Sequence, residues 1–232
     1  MIGAGIIATA LVVGLLIAVT VATDDSNTGD GIDFAEDVGG QSPDLAPEMF
    51  DGFGLGDRGA PLTLTVFEDF QCPFCIRYSA IIEPVIIKEF VASGRLRLEF
   101  RNFPILGPES GSAAVASVCA ARENRFWDYA AAVFGLQAAA GQMTDEQLNV
   151  GRLDDGTLTG IARDLGLDGD AFESCMASGG ALAEVQAHID EAAAFNVPGT
   201  SSFVLNGAPI SRPPSDAAGL RDFLDEQLAT LE

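Results

Sequence analysis

Residues 62–67 (LTLTVF) alternate, are rich in β-formers, and run within a few residues into Cys72-Pro73-Phe74-Cys75, which opens a helical pattern. This join constrains the chain more than any other feature. A strand that feeds two cysteines into a helix N-terminus places the first thiol where backbone N–H groups and the macrodipole favour negative charge. Its pKa falls and it becomes a thiolate nucleophile. The second thiol, one turn on, can attack a mixed disulfide and release the product. Half of a zinc site has the same spacing, so the pair alone is ambiguous and its context decides.

From Cys72 to about residue 93, Ile76, Ile81, Ile82, Val85, Ile86 and Phe90 recur at helical spacing. Pro84 is expected to kink or divide this helix and Gly94 to end it. Residues 95–103 (RLRLEFRNF) alternate strictly, with Leu96, Leu98 and Phe100 inward, so they read as a second strand. Strand, helix and strand make a parallel βαβ unit. From residue 109 to 195 the chain reads as helical. Residues 113–134 form one alanine-rich helix, and Thr144-Asp145-Glu146-Gln147 resembles a capping box. Residues 158–165 and 170–178 are short helices, and residues 181–195 are a longer one. Then come a strand at 202–205 (SFVL), a hairpin turn at Asn206-Gly207, a return strand at 208–210 and a final amphipathic helix at 215–231. The order implies an α/β thioredoxin-like fold, a sheet with helices on both faces, interrupted by an inserted helical domain.

Residues 2–22 (IGAGIIATALVVGLLIAVTVA) carry no charge and as a helix would reach about 31 Å, enough to span a bilayer. The expectation is an uncleaved, single-pass transmembrane anchor, with a signal peptide cut near Thr20-Val21-Ala22 as the alternative. The remainder is expected outside the cytoplasm, by the positive-inside rule. Between Asp24 and Asp57 there are ten acidic residues and no basic one, among many glycines, which reads as an extended tether. The expected organisation is therefore an anchor at 1–23, an acidic linker at 24–55, the first part of the thioredoxin-like domain at 56–107, a helical insertion at 108–196, and the second part at 197–232. The net charge of −22 leaves nothing to neutralise phosphates, which excludes nucleic acid and anionic headgroups as partners.

Residues 56–75 (GDRGAPLTLTVFEDFQCPFC) closely resemble the DsbA-like thiol–disulfide oxidoreductases, in particular the membrane-anchored branch common in Gram-positive bacteria. Arg101-Asn102-Phe103-Pro104 and Phe203-Val204-Leu205-Asn206-Gly207 fit later blocks of that family. The resemblance implies that Cys72 is the exposed nucleophile, Cys75 the buried resolving cysteine, and Pro73-Phe74 the dipeptide that tunes the redox potential. Phe74 cannot donate a hydrogen bond to the thiolate, which implies a milder oxidant than members with histidine there. The family places a cis-proline opposite the cysteines, five residues before the Asn of an Asn-Gly turn. Here that position is Ser201, and Pro198 falls three residues too early. A cis bond before a non-proline residue costs about 3–4 kcal/mol, so the Thr200–Ser201 bond is expected to be trans or strained. Thr200 and Ser201 are still expected to line the site.

With Cys72 and Cys75 as the redox pair, Cys119 and Cys175 are left as a structural disulfide of the helical domain, as actinobacterial members look to carry; two separate buried thiols are the alternative. Glu68 and Asp69 precede the motif, and one of them could accept the proton of the buried thiol. Against that stands a solvated Glu68 and an Asp69 that caps a turn. His188, the lone histidine, sits in a polar helix and is expected at the surface. Phe70, Phe74 and Pro104 could form an apolar rim for unfolded polypeptide. No metal and no organic cofactor is implied. The implied partners are unfolded secreted proteins with free thiols and a membrane quinone-linked oxidase of the VKOR or DsbB type. The rival readings are a reductase or isomerase of the same fold, or a non-catalytic module that binds a metal or a peptide at the Ser201-opened site.

Overall fold

A computed structural model describes residues 45–231. The expected membrane anchor and most of the acidic linker lie outside them. Among the described residues no helix is long and apolar enough to cross a membrane.

The sheet has six strands in the order β1-β2-β4-β3-β5-β6: β1 Phe50–Asp51, β2 Gly54–Leu55, β3 Leu62–Glu68, β4 Leu96–Asn102, β5 Ser202–Leu205 and β6 Ala208–Pro209. β3 and β4 pair in parallel from Leu62↔Leu96 to Glu68↔Asn102, and β5 pairs antiparallel on the other side of β3. β3 is therefore central and is covered on both faces. Leu62, Leu64 and Val66 enter the main core, while Phe67 packs with Ala192 and Val204 on the opposite side. β4 alternates buried and half-buried residues along its whole length, as its sequence pattern requires. Asn206 and Gly207 both take positive φ, which closes the β5–β6 hairpin in the conformation that Asn-Gly favours.

Helix α1 occupies residues 73–91, with α-helical turns at Pro73–Arg77 and Glu83–Ile86 and π-type turns at Tyr78–Ile82 and Ile87–Val91. Pro84 has no N–H to give, and the chain widens into a π turn before it and stays helical. The inserted block contains α2 Pro108–Arg122, α3 Phe126–Ala139, α4 Asp155–Asp164, α5 Gly169–Met176 and α6 Gly179–Ala194; α7 Ala217–Ala229 closes the chain.

Three sequence expectations need correction here. Residues 113–134 are not one helix. Asn124 takes φ 56°, and the N–H of Arg125 returns to the carbonyl of Ala120, which ends α2 and lets α3 start afresh. The capping-box sequence at Thr144 starts no helix, because Gln147 donates its N–H to the side chain of Gln142 in an irregular loop. The assigned linker also ends too late. Its last residues form the β1–β2 hairpin, which adds to β4 through Leu55↔Leu98 and receives the indole N–H of Trp127 on the Gly54 carbonyl.

Candidate active site

β3 ends at Glu68, and α1 begins at Pro73, so the intervening turn delivers Cys72 to the helix N-cap with extended backbone. Pro73 suits the first helical position, where an N–H would lack an intrahelical acceptor. The turn is closed by the Cys72 N–H on the Asp69 carbonyl at 3.0 Å, and α1 starts with the Ile76 N–H on the Cys72 carbonyl at 3.0 Å. Cys72 and Cys75 are both unbonded thiols. Cys72, expected to be exposed, is only 4% accessible and lies under the Thr200 carbonyl, 3.5 Å from its Sγ. The neighbouring Phe74 is the side chain that projects, at 72% exposure.

The two thiols differ in character. A hydrogen bond from the Cys75 thiol, another from the Thr200 side chain, and the N–H groups of Cys75 and Phe74 outweigh burial and bring Cys72 down to about 6. Cys75 is fully buried. Burial, its hydrogen bond to Cys72 and the nearby Glu68 charge push it up, so it holds its proton.

The Thr200–Ser201 peptide is cis. Both residues line a pocket of about 250 Å³ that also touches Phe74 and Phe203. The Ser201 hydroxyl donates to Glu68 Oε2 at 3.0 Å and lies 3.4 Å from Cys75 Sγ. Glu68 is 2% exposed, so the solvated alternative for it does not hold. Burial raises its pKa well above the usual carboxylate range, against the hydrogen bonds from Cys75 and Ser201. Buried Tyr78 and half-buried Glu83 extend this ionisable group along α1, and desolvation lifts Glu83 to about 8.

Asp69 faces the other way. Its carboxylate accepts from the N–H groups of Gln71, Ile105 and Leu106 and from the Ser110 hydroxyl, at 2.6–2.9 Å. Its own N–H points at Cys75 Sγ, 3.4 Å away. It is a buried anchor that ties the turn before Cys72 to the insertion. Sequence reading missed the rest of this network. Gln71 donates to Ser110 and accepts from the Asn149 N–H, while Gln142 holds the Gln71 carbonyl. No local pattern marks residues that meet across such sequence distances.

Phe70, a candidate rim residue, is buried against Phe100 and Phe134. Pro104 lines a separate groove with Val115 and Val185, so the expected rim reduces to Phe74. His188 is not at the surface. Its Nδ1 accepts the Asn102 N–H at 3.1 Å, its ring meets Phe53, and burial together with the Arg101 charge lowers its pKa to about 4. Cys119 and Cys175 are joined in a disulfide between α2 and α5. Among the described residues no three His, Cys, Asp or Glu side chains gather in a way that could hold a metal ion.

The family model described as Thioredoxin matches residues 51–226. The chain is 26% identical over 178 residues to a probable disulfide bond formation protein D of Bacillus anthracis, which covers 75% of this chain and 77% of that one. It is 35% identical over 85 residues to disulfide bond formation protein D of Bacillus subtilis, across 36% of this chain and 38% of that one. Its fold resembles the crystal structure of oxidised BdbD from Bacillus subtilis, with TM-score 0.67 and 23% identity over 79% of this chain and 95% of that one.

Proposed function

The chain belongs to the thioredoxin family and is a DsbA-like thiol–disulfide oxidoreductase, and from that premise we propose that it forms disulfides in secreted proteins outside the cytoplasm through Cys72 and Cys75. The observation that carries the reading is the asymmetry of the two thiols: Cys72 titrates at about 6, while Cys75 is buried and held protonated. A thiol of low pKa is a good leaving group, so a disulfide that contains it gives itself up readily to a substrate.

In the oxidised form a substrate thiolate attacks Cys72 Sγ. The Cys72–Cys75 bond breaks, a mixed disulfide forms at Cys72, and Cys75 leaves with the electron pair. Cys75 binds protons tightly and needs one at once. Glu68 hydrogen-bonds Cys75 and burial raises its pKa well above the usual carboxylate range, so Glu68 supplies that proton and takes it back when the pair is reoxidised. A second substrate thiolate then attacks the substrate's own sulfur. The substrate gains a disulfide, Cys72 leaves as a thiolate, and the enzyme ends as the dithiol. Pro73 and Phe74 set the potential through the helix start that they form. Thr200 and Ser201 shape the face that a substrate must approach. A membrane quinone-linked oxidase would restore the disulfide, and an N-terminal anchor at residues 1–23 would keep the two together at the cell membrane.

The test is oxidative refolding of a reduced, unfolded test protein with paired thiols. The oxidised enzyme should transfer its disulfide, and Cys72→Ala should not. A wild-type enzyme that leaves those thiols reduced sinks the reading. If it acts on scrambled proteins only as the dithiol, it is a reductase or isomerase instead.

A further inference from the structure

The chain carries 12 basic residues against 34 acidic ones, and nearly every arginine is committed. Arg58, Arg95, Arg97, Arg101, Arg122, Arg125, Arg163 and Arg221 each close a salt bridge. Arg152 is held by the side chains of Gln137 and Gln142. Among the described residues Arg77 and Arg212 are the arginines with no ion pair and no hydrogen bond, and both are exposed. Arg77 lines the pocket of about 250 Å³ beside the candidate nucleophile, and Arg212 immediately precedes Pro213 and Pro214, which also line it. Lys88, among the described residues the one other cationic side chain without such a partner, does not line it. The pocket's lining contains no carboxylate. Of the acids that adjoin the lining, Asp216 is turned into the α7 cap, where it accepts the Gly219 N–H, Glu68 is buried behind the Ser201 hydroxyl, and Glu83 follows Ile82 on α1.

On a molecule of net charge −22, a largely apolar pocket lined by one uncommitted guanidinium group, with a second uncommitted arginine next in sequence to its lining, differs from the rest of the surface. The pocket reaches the redox pair through Thr200, whose carbonyl lies 3.5 Å from Cys72 Sγ. We propose that this pocket selects polypeptide segments in which acidic residues flank the reacting cysteine. The proposal rests on Cys72 being the attacked sulfur. The flanking carboxylates meet Arg77 and Arg212, apolar neighbours meet Phe74 and Phe203, and the substrate thiolate is left over Cys72. At about 0.15 M salt the repulsion from the distant acidic surface is screened within roughly 8 Å, whereas contact pairs at the pocket rim persist. Arginine and carboxylate match in geometry as well as in charge.

The experiment reduces the oxidised full-length protein with two peptides that differ only in carrying Asp or Lys on both sides of a single cysteine. Each rate is divided by that peptide's rate with a small uncharged disulfide, which removes the effect of the neighbours on thiol pKa. The corrected preference for the Asp peptide should be about two- to five-fold per arginine, the range of an exposed ion pair. Arg77→Gln and Arg212→Gln should each lower it, the double substitution should remove it, and Arg77→Lys should retain most of it. A wild-type ratio near one, or a ratio unchanged in the double variant, overturns the selectivity while leaving the oxidoreductase reading intact. Failure of both peptides to reduce the wild-type disulfide sinks both.

Discussion

The Ser201 hydroxyl donates to Glu68 Oε2 at 3.0 Å while it lies 3.4 Å from Cys75 Sγ, so one side chain touches the buried acid and the buried thiol together. A proline there would offer neither contact. The hydroxyl stabilises the ionised form of Glu68 and works against its burial. Ser201→Ala should therefore move the Glu68 titration further up. Carboxyl NMR of the reduced protein, compared with wild type, reads this directly, and a downward shift would contradict the assignment.

Glu68 also links the site to stability. Its folded pKa lies above its unfolded value, so the folded protein binds more protons at pH values above about 4.5. Stability from this group is complete below that pH and is lost as pH rises through the folded pKa. Glu68→Gln should match the wild type near pH 4 and be the more stable protein near pH 8, as denaturant unfolding of both would measure. The same variant should slow disulfide transfer about 10- to 100-fold, within the range of one acid–base group or below it.

Cys72 has the opposite sign. Its folded pKa of about 6 lies below the ordinary 9, so the reduced protein gains stability as pH rises from about 6 to 9 and loses it on acidification through 6. Thiolate absorbance of the reduced wild type should show a midpoint near pH 6 that is missing in Cys72→Ser. In Cys75→Ala the midpoint should move up, because the largest lowering influence on Cys72 is the hydrogen bond from Cys75.

His188 is packed neutral against Phe53 with its Nδ1 engaged by Asn102. Its folded pKa of about 4 lies below its unfolded 6.5, so its share of stability is lost as pH falls from about 6.5 to 4. The loss is on the order of 2–3 kcal/mol. His188→Gln should flatten that part of the stability–pH curve relative to wild type, whatever constant offset it adds.

The Cys119–Cys175 disulfide joins residues 56 apart in sequence and staples α5 to α2. Replacing both cysteines with alanine should cost about 2–4 kcal/mol in denaturant unfolding, by releasing the unfolded chain. A double variant as stable as the wild type would show that the bridge closes a loop which is already restricted.

What could be read locally was read from the sequence. β3, β4 and the Asn206-Gly207 hairpin follow from period-two alternation and a turn dipeptide, and each needs only near neighbours to be recognised. The β1–β2 hairpin escaped because its strands are two residues long in a glycine-rich acidic stretch, and their partner, Leu98, lies more than forty residues away. The break at Asn124 escaped because alanine periodicity carries across it, while the left-handed residue that ends α2 is favoured partly by a distant contact, the Gly52 N–H on its side-chain oxygen.

Sequence alone determined the βαβ order, the helical character of the insertion and the Cys72-Pro73-Phe74-Cys75 join, since periodicity and turn chemistry are properties of adjacent residues. Tertiary structure alone decided which acid faces the thiols. Glu68 and Asp69 are neighbours of the same chemistry, yet burial raises the pKa of one beside the thiols, and three donors from distant segments, with the N–H of Gln71, make the other an anchor. Desolvation and hydrogen bonding set a carboxylate's role, and both are supplied by residues that only folding brings near.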